Sequence, residues 1–180
     1  MRTATLVLVA YLLCVVVASL WRLMPFQLVR DAVPDLGALT AAYLGLTARS
    51  SVAPAVGGSI VLGYLVDLIS GGPPGTMSLV LGLTCIVARN VQQRILVRGA
   101  AMTIGFSAFI AIISGLVALI VRAMYGMPRA SLGTELVHIA VATASTALVG
   151  ALVWRVCRRV DAAFARTHRE RDAALEGLAP

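Results

Sequence analysis

Six apolar runs separated by short polar segments dominate this sequence and constrain its fold more than any other feature. An α-helix needs about 20 mostly apolar residues to cross a bilayer. The third run, residues 52–69, carries a single ionisable residue, Asp67. Runs of this length and polarity favour transmembrane helices over the elements of a water-soluble domain. The predicted spans are 5–24, 34–48, 52–69, 76–88 with a polar extension, 101–125 and 136–156.

The composition agrees with a membrane protein. Hydrophobic residues make up 59% of the 180 residues and charged residues 13%, whereas about a quarter of a soluble domain is charged. We therefore predict an all-α integral membrane protein with a six transmembrane helix bundle at residues 1–157. Residues 158–180 are predicted to form a cytoplasmic, arginine-rich tail that continues the last helix and then frays into disorder. This length leaves no room for a separate catalytic domain.

The arginines predict the orientation. The net charge is +7 and all fifteen basic residues are arginine, but they lie between spans or in the tail, which suits lipid headgroups and not nucleic acid. Six spans with both termini in the cytoplasm put eleven arginines inside and four outside. Five spans also fit if the short second run is re-entrant. The first run is predicted to be a retained helix, with a cleaved signal peptide as the alternative. The outer arginines are Arg22, Arg30, Arg122 and Arg129.

No catalytic, metal or cofactor motif stands out. The three cysteines are far apart, lack metal-ligand spacing and are interpreted as small apolar fillers. A rhomboid-like protease needs a serine in a Gly-x-Ser-Gly turn, and neither Ser59 nor Ser114 has that context. His138 is alone in its span and is interpreted as a packing element. We therefore predict no enzymatic activity, no metal and no cofactor.

Small residues recur every fourth position on three predicted helices. Such stripes let helix backbones approach closely, because lipid supplies no hydrophobic drive between helices. Most stripes are expected to pack inside the bundle, but the fifth-helix stripe is a candidate contact for a partner's transmembrane helix. The stripes are Gly37, Ala41 and Gly45; Ala55, Ser59, Gly63 and Asp67; and Gly99, Thr103, Ser107, Ala111 and Gly115.

Asp67 needs a partner that offsets the free-energy cost of burying its carboxylate. A carboxylate costs about 2.5–3.5 kcal/mol near a membrane centre, and the C-terminal end of a helix is already negative. The Gly-Pro loop that follows leads directly into the fourth helix. Backbone amides at a helix start bind anions, so we expect the backbone N–H groups of Gly72, Gly75 and Thr76 to donate to the Asp67 carboxylate. Pairing with Arg30 or Arg122 is the alternative.

One stretch of the chain resembles the rod shape-determining protein MreD family. It begins with Val33-Pro34-Asp35-Leu36, continues through a tyrosine helix with a basic end, and closes with a Gly-x-x-x-Asp helix and Ser70-Gly71-Gly72-Pro73-Pro74-Gly75. Pro34 and Asp35 also suit a helix start, as proline is tolerated at the first helical position and an acid favours the positive end of the dipole. The residues that we expect to bind a partner or to hold the structure are Pro34, Asp35, Tyr43, Arg49, Gly63, Asp67, Ser70, Gly72, Pro73 and Gly75.

The resemblance implies a non-enzymatic scaffold in the bacterial inner membrane, within the elongation machinery that builds lateral peptidoglycan. The resemblance also implies that the protein binds the bitopic protein MreC. Through this partner it would act indirectly with the actin-like MreB and a peptidoglycan synthase pair. The bundle of MreD-family proteins is similar to the substrate-binding subunits of energy-coupling vitamin transporters. By that analogy the outward face, with Asp35 near Asp67, is where a partner segment docks, and Tyr43 and Arg49 fix the second helix.

The alternative from another class is a substrate-capture subunit of a vitamin or metal transporter. It shares the six helices and the arginine pattern. Such a subunit needs an outward pocket with several convergent polar or aromatic groups. The sequence predicts few polar side chains clustered on the outer half, which favours the scaffold.

Overall fold

The computed structural model describes residues 2–23, 33–48, 52–71, 73–92, 100–126 and 131–176, and these form six α-helices with no strand among them. The all-α prediction is therefore confirmed. The helices are α1 (Arg2–Arg22), α2 (Leu36–Thr47), α3 (Ala53–Ser70), α4 (Thr76–Gln92), α5 (Ala100–Met124) and α6 (Leu132–Glu176).

Among the predicted boundaries, those of α2 and α6 differ from the structure in ways that change the bundle. The helix α2 begins at Leu36 and not at Pro34, because the Asp35 side chain accepts the Ala38 N–H and closes the helix start as its N-cap. The helix α6 is one element of 45 residues, which continues without a break past residue 157. The helical continuation of the tail is thus confirmed as far as Glu176, and the predicted fraying beyond it lies outside the described residues.

The shortest helix lies at the centre of the bundle. The helix α2 contacts all five others, while α1, α3, α4, α5 and α6 each contact their neighbours in a ring around it. Residues 36–46 of α2 are all buried. Its 12 residues extend only about 18 Å at 1.5 Å per residue, which is less than the roughly 30 Å of a bilayer's hydrocarbon core.

The direction of α2 follows from the contacts at its two ends. Asp35, at its start, accepts a hydrogen bond from Ser114, just past the middle of α5. Gly45, near its end, lies against the carbonyl oxygen of Cys85 in the second half of α4. The helix α2 therefore runs through the middle of the bundle, parallel to α4, because Gly37 lies beside Leu81 and Gly45 lies beside Cys85.

The polarity of the bundle is that of a membrane protein. Serine and threonine side chains lie in its interior, and most of these hydroxyls donate to a carbonyl one turn earlier in their own helix. Large apolar side chains face outward, for example Leu12 at 54% exposure and Leu148 at 79%. Four helices are long and apolar enough to cross a membrane, within Thr3–Leu20, Ala53–Ser70, Ala101–Met124 and Gly133–Phe164; Leu36–Thr47 and Thr76–Val91 are apolar but shorter.

The small-residue stripes all face inward. Ser59 and Gly63 of α3 are buried, as are the stripe residues of α2. On α5, Ser107 lies against Gly150 of α6, and a Cβ on Gly115 would lie 3.1 Å from Ile139. The prediction that the α5 stripe contacts a partner is therefore wrong over its described residues, because α6 already covers it; Gly99 lies outside the described residues.

Candidate functional site

Asp67 is buried and fully engaged at the junction of α3 and α4. Its side chain is 3% exposed. The carboxylate Oδ2 accepts the Gly75 N–H at 2.8 Å, and the Met77 N–H lies 3.0 Å from Oδ1 and 3.1 Å from Oδ2. These amides belong to the first turn of α4, whose free N–H groups carry the positive end of the helix dipole. Asp67 thus caps the next helix.

Of the predicted donors to the Asp67 carboxylate, the Gly75 N–H is confirmed and the Thr76 N–H is wrong. The Thr76 N–H donates to the Pro73 carbonyl at 3.3 Å instead, and the amide of Met77 reaches Asp67. The reason is that the Thr76 N–H is already hydrogen-bonded within the turn and so does not reach Asp67. Gly72 lies outside the described residues. Arg122 lines a cavity elsewhere and not the Asp67 site, and Arg30 is not among the described residues.

Two glycines shape the loop that presents these amides. Gly71 ends α3 in the left-handed conformation, with φ of 66°, and its N–H donates to the Asp67 carbonyl. Gly75 has φ of 98°, which other residues rarely adopt. Ser70 and Pro73 are exposed; the Ser70 hydroxyl donates to the Val66 carbonyl. The loop is therefore held by backbone conformation and by Asp67.

Gly63 brings α3 and α4 together one turn before Asp67. A Cβ at this position would lie 2.5 Å from the backbone of Met77 and Ser78. Only glycine permits that approach, and without it the carboxylate would stand too far from the amides of α4. The Gly-x-x-x-Asp spacing thus acts as one unit, in which the glycine sets the distance and the acid closes the contact.

Asp35 joins three helices at the same end of the bundle. Its Oδ1 accepts the Ala38 N–H at 2.8 Å, and its Oδ2 accepts the Ser114 hydroxyl at 2.7 Å. Its own N–H donates to Thr146 Oγ1 at 2.9 Å. Sequence reasoning found Asp35 but missed Ser114 and Thr146. The only signal for Ser114 was its position beside Gly115 of the α5 stripe.

Tyr43 anchors α2 at the opposite end, which we call the Asp161 end. Its hydroxyl donates to Asp161 Oδ2 at 2.6 Å. Its ring meets Trp154 edge to face at 5.6 Å between centroids, and Trp154 meets Phe106 in the same way at 5.7 Å. Asp161 lies beyond the predicted bundle boundary at 157, so packing extends into the predicted tail. Arg49, the other residue predicted to fix α2, lies outside the described residues.

A cavity of about 200 Å³ lies between α5 and α6, at the Asp67 end; we call it the polar cavity after the charged groups in its mixed lining. Arg122, Glu135 and His138 line it, together with Asp35 and Thr146. The prediction of few clustered polar side chains on this half is therefore wrong. The groups are spread over three helices in the sequence, and only the pairing of α5 with α6 brings them together. His138, predicted to be an isolated packing residue, has charged neighbours across this cavity.

A second cavity of about 250 Å³ lies on the other side of Asp35, among α1, α2, α3 and α4. Its lining is mostly apolar and includes Pro34, Ala18 and Ser70. The stretch carrying the family resemblance thus has Pro34, Asp35 and Ser70 around one cavity, with Asp67 nearby on α3. Among the described residues, no group of three His, Cys, Asp or Glu side chains has the arrangement of a metal site.

No family model, curated protein or solved structure matches this chain. The resemblance to the MreD family, and the likeness of its bundle to vitamin-transporter subunits, therefore stay predictions from the quoted motif.

Proposed function

We propose that this protein is a non-enzymatic membrane scaffold of the bacterial cell-elongation machinery, which binds an MreC-like partner. It acts through that partner with MreB and the peptidoglycan synthase pair. It lies in the cytoplasmic membrane with both termini inside, as the arginine distribution favours. Its activity is binding, and its surroundings are the membrane lipids and the partner's helix.

The observation that carries the proposal is the arrangement at the Asp67 end. Asp35 and Asp67 each cap a helix start, and this rigid frame borders the mostly apolar cavity lined by Pro34, Ala18 and Ser70. A bitopic partner offers one apolar helix with a polar flank. An apolar recess next to a fixed helix start suits such a segment, because close packing drives helix association in lipid.

Co-purification in detergent tests this proposal. The wild type is expected to retain a tagged MreC-like protein, and Ala18→Trp is expected to lose it, because the indole fills the cavity. Leu20→Trp is the matched control, since Leu20 is 54% exposed on the same helix and does not line the cavity. Size-exclusion profiles check the folding of each variant. Absence of the partner from the wild-type preparation, or its retention by Ala18→Trp, would contradict the proposal.

A substrate-capture subunit of a vitamin or metal transporter is the second candidate, and the polar cavity between α5 and α6 favours it. Convergent groups such as Arg122, Glu135 and Asp35 are what a small-molecule site requires. The two candidates differ in a thermal-shift measurement on the purified chain. A rise in melting temperature with one vitamin or divalent metal, with no MreC-like partner bound, would support the transporter subunit over the scaffold.

A further inference from the structure

The polar cavity between α5 and α6 has a charged mouth. Arg122 lies near the C-terminal end of α5, and Glu135 and His138 lie in the first two turns of α6. Glu135 and His138 are half-buried, and Arg122 is exposed. Ionisable groups in membrane-spanning helices are costly, and they mark functional sites by default.

These three side chains do not neutralise one another. Among the described residues, the side chains of Arg122, Glu135 and His138 make no hydrogen bond or ion pair, although all three line one cavity. Leaving such charges unmatched near lipid is unfavourable. A ligand that carries both signs of charge would satisfy the arginine and the carboxylate together.

The floor of the cavity adds a second carboxylate. Asp35 accepts one hydrogen bond at each oxygen, from Ala38 and Ser114. Each carboxylate oxygen has two lone pairs, so both retain capacity for a further donor. The cavity therefore offers a planar guanidinium, suited to phosphate, and two carboxylates, suited to an ammonium group with N–H donors.

We propose that this cavity binds a phosphate–ammonium zwitterion, namely the headgroup of phosphatidylethanolamine. The phosphate pairs with Arg122, and the primary ammonium donates to Glu135 and Asp35. Apolar side chains also line this cavity, among them Leu119 and Ile139, and Leu136, next to Glu135 on α6, is 56% exposed. Acyl chains can pack along them while the headgroup enters, which favours a lipid over a soluble zwitterion. This inference needs only the membrane location and does not rest on the elongation machinery.

Native mass spectrometry of the full purified chain tests the proposal. Phosphatidylethanolamine, phosphatidylcholine and phosphatidylglycerol with the same acyl chains are added at equal concentration. Phosphatidylethanolamine is expected to bind best, because phosphatidylcholine lacks N–H donors and phosphatidylglycerol lacks a cation. Arg122→Ala and Glu135→Gln should each weaken its binding about tenfold, the equivalent of one charge-assisted hydrogen bond.

Matched controls separate the site from general effects. Arg122→Lys keeps the charge and should restore part of the binding, while Arg166→Ala, beyond the apolar span Gly133–Phe164, should have no effect. Free phosphoethanolamine forms a separate arm; binding as strong as that of the lipid would overturn the lipid assignment. Equal binding of the three lipids, or unchanged binding in both cavity variants, would overturn the site. Circular dichroism confirms that each variant is folded.

Discussion

Two carboxylates, Asp35 and Asp67, each stabilise a helix start at the same end of the bundle. Each is placed at the N-terminal turn of a helix, where free N–H groups and the dipole favour negative charge. Asp35 caps its own helix. Asp67 is at the unfavourable end of α3 but reaches the start of α4. The cost of burying Asp67 is therefore offset across a helix pair and not within one helix.

Replacing Asp67 tests whether its charge matters. Asp67→Asn keeps one carbonyl acceptor but turns N–H donors toward the amides of Gly75 and Met77. We expect it to lower the free energy of unfolding by about 1–3 kcal/mol, nearly as much as Asp67→Ala. Thermal unfolding in detergent, followed by size exclusion, measures this. Asp172→Asn makes the same chemical change near the end of α6 as a control. An Asp67→Asn protein that melts like the wild type would leave only a hydrogen-bonding role.

The Tyr43–Asp161 contact makes a separate prediction at the opposite end. Tyr43→Phe removes the hydroxyl but keeps the ring that packs on Trp154. A hydrogen bond to a charged group contributes about 1.5–3 kcal/mol, so Tyr43→Phe should destabilise by that amount. A double-mutant cycle with Asp161→Ala isolates the pair. Additive effects of the two substitutions would show that the contact contributes nothing.

At the scale of elements, close backbone approach holds the bundle together. Gly63 lets α3 meet α4, Gly45 lets α2 meet α4, and Gly150 lets α6 meet α5. These contacts lie at buried positions, where lipid cannot fill a gap. Because α2 is short and surrounded, its neighbours fix its position, and its 12 residues contribute little independent helical stability.

Two glycines of α3 form a matched pair. A Cβ on Gly63 would overlap the backbone of α4, whereas nothing lies within 4 Å of a Cβ on Gly57. Gly63→Ala should destabilise the protein by about 1–3 kcal/mol through overpacking. Gly57→Ala should be neutral or should stabilise by up to about 1 kcal/mol through helix propensity. Melting temperatures measured side by side check this; equal shifts for the two variants would refute the role of close approach.

For the whole molecule, small and hydroxyl side chains within an apolar core, and large apolar side chains on the surface, are typical of helices that pack in lipid. The Asp67 end carries both cavities and both capping carboxylates, and the Asp161 end carries the aromatic contact of α2. The proposed orientation makes the Asp67 end periplasmic and the Asp161 end cytoplasmic.

Labelling of single cysteines tests that orientation. In a background with Cys14, Cys85 and Cys157 replaced, Ser70→Cys and Ala162→Cys each introduce one thiol at an exposed position. A membrane-impermeant maleimide should label Ser70→Cys in intact cells, and Ala162→Cys only after permeabilisation. The reverse pattern would invert the topology and contradict the arginine argument.

The sequence by itself determined the six helices, the membrane environment, and the capping of Asp67 by Gly75. These follow from apolar runs, loop glycines and hydrogen bonds that span eight residues or fewer. Tertiary structure alone decided that α2 is central, that α6 covers the α5 stripe, and that Asp35 bonds Ser114 and Thr146, which are 79 and 111 residues away. The same holds for the polar cavity. The physical reason is that lipid treats apolar helix faces alike, so only the packing of small residues and buried polar groups selects which helices meet.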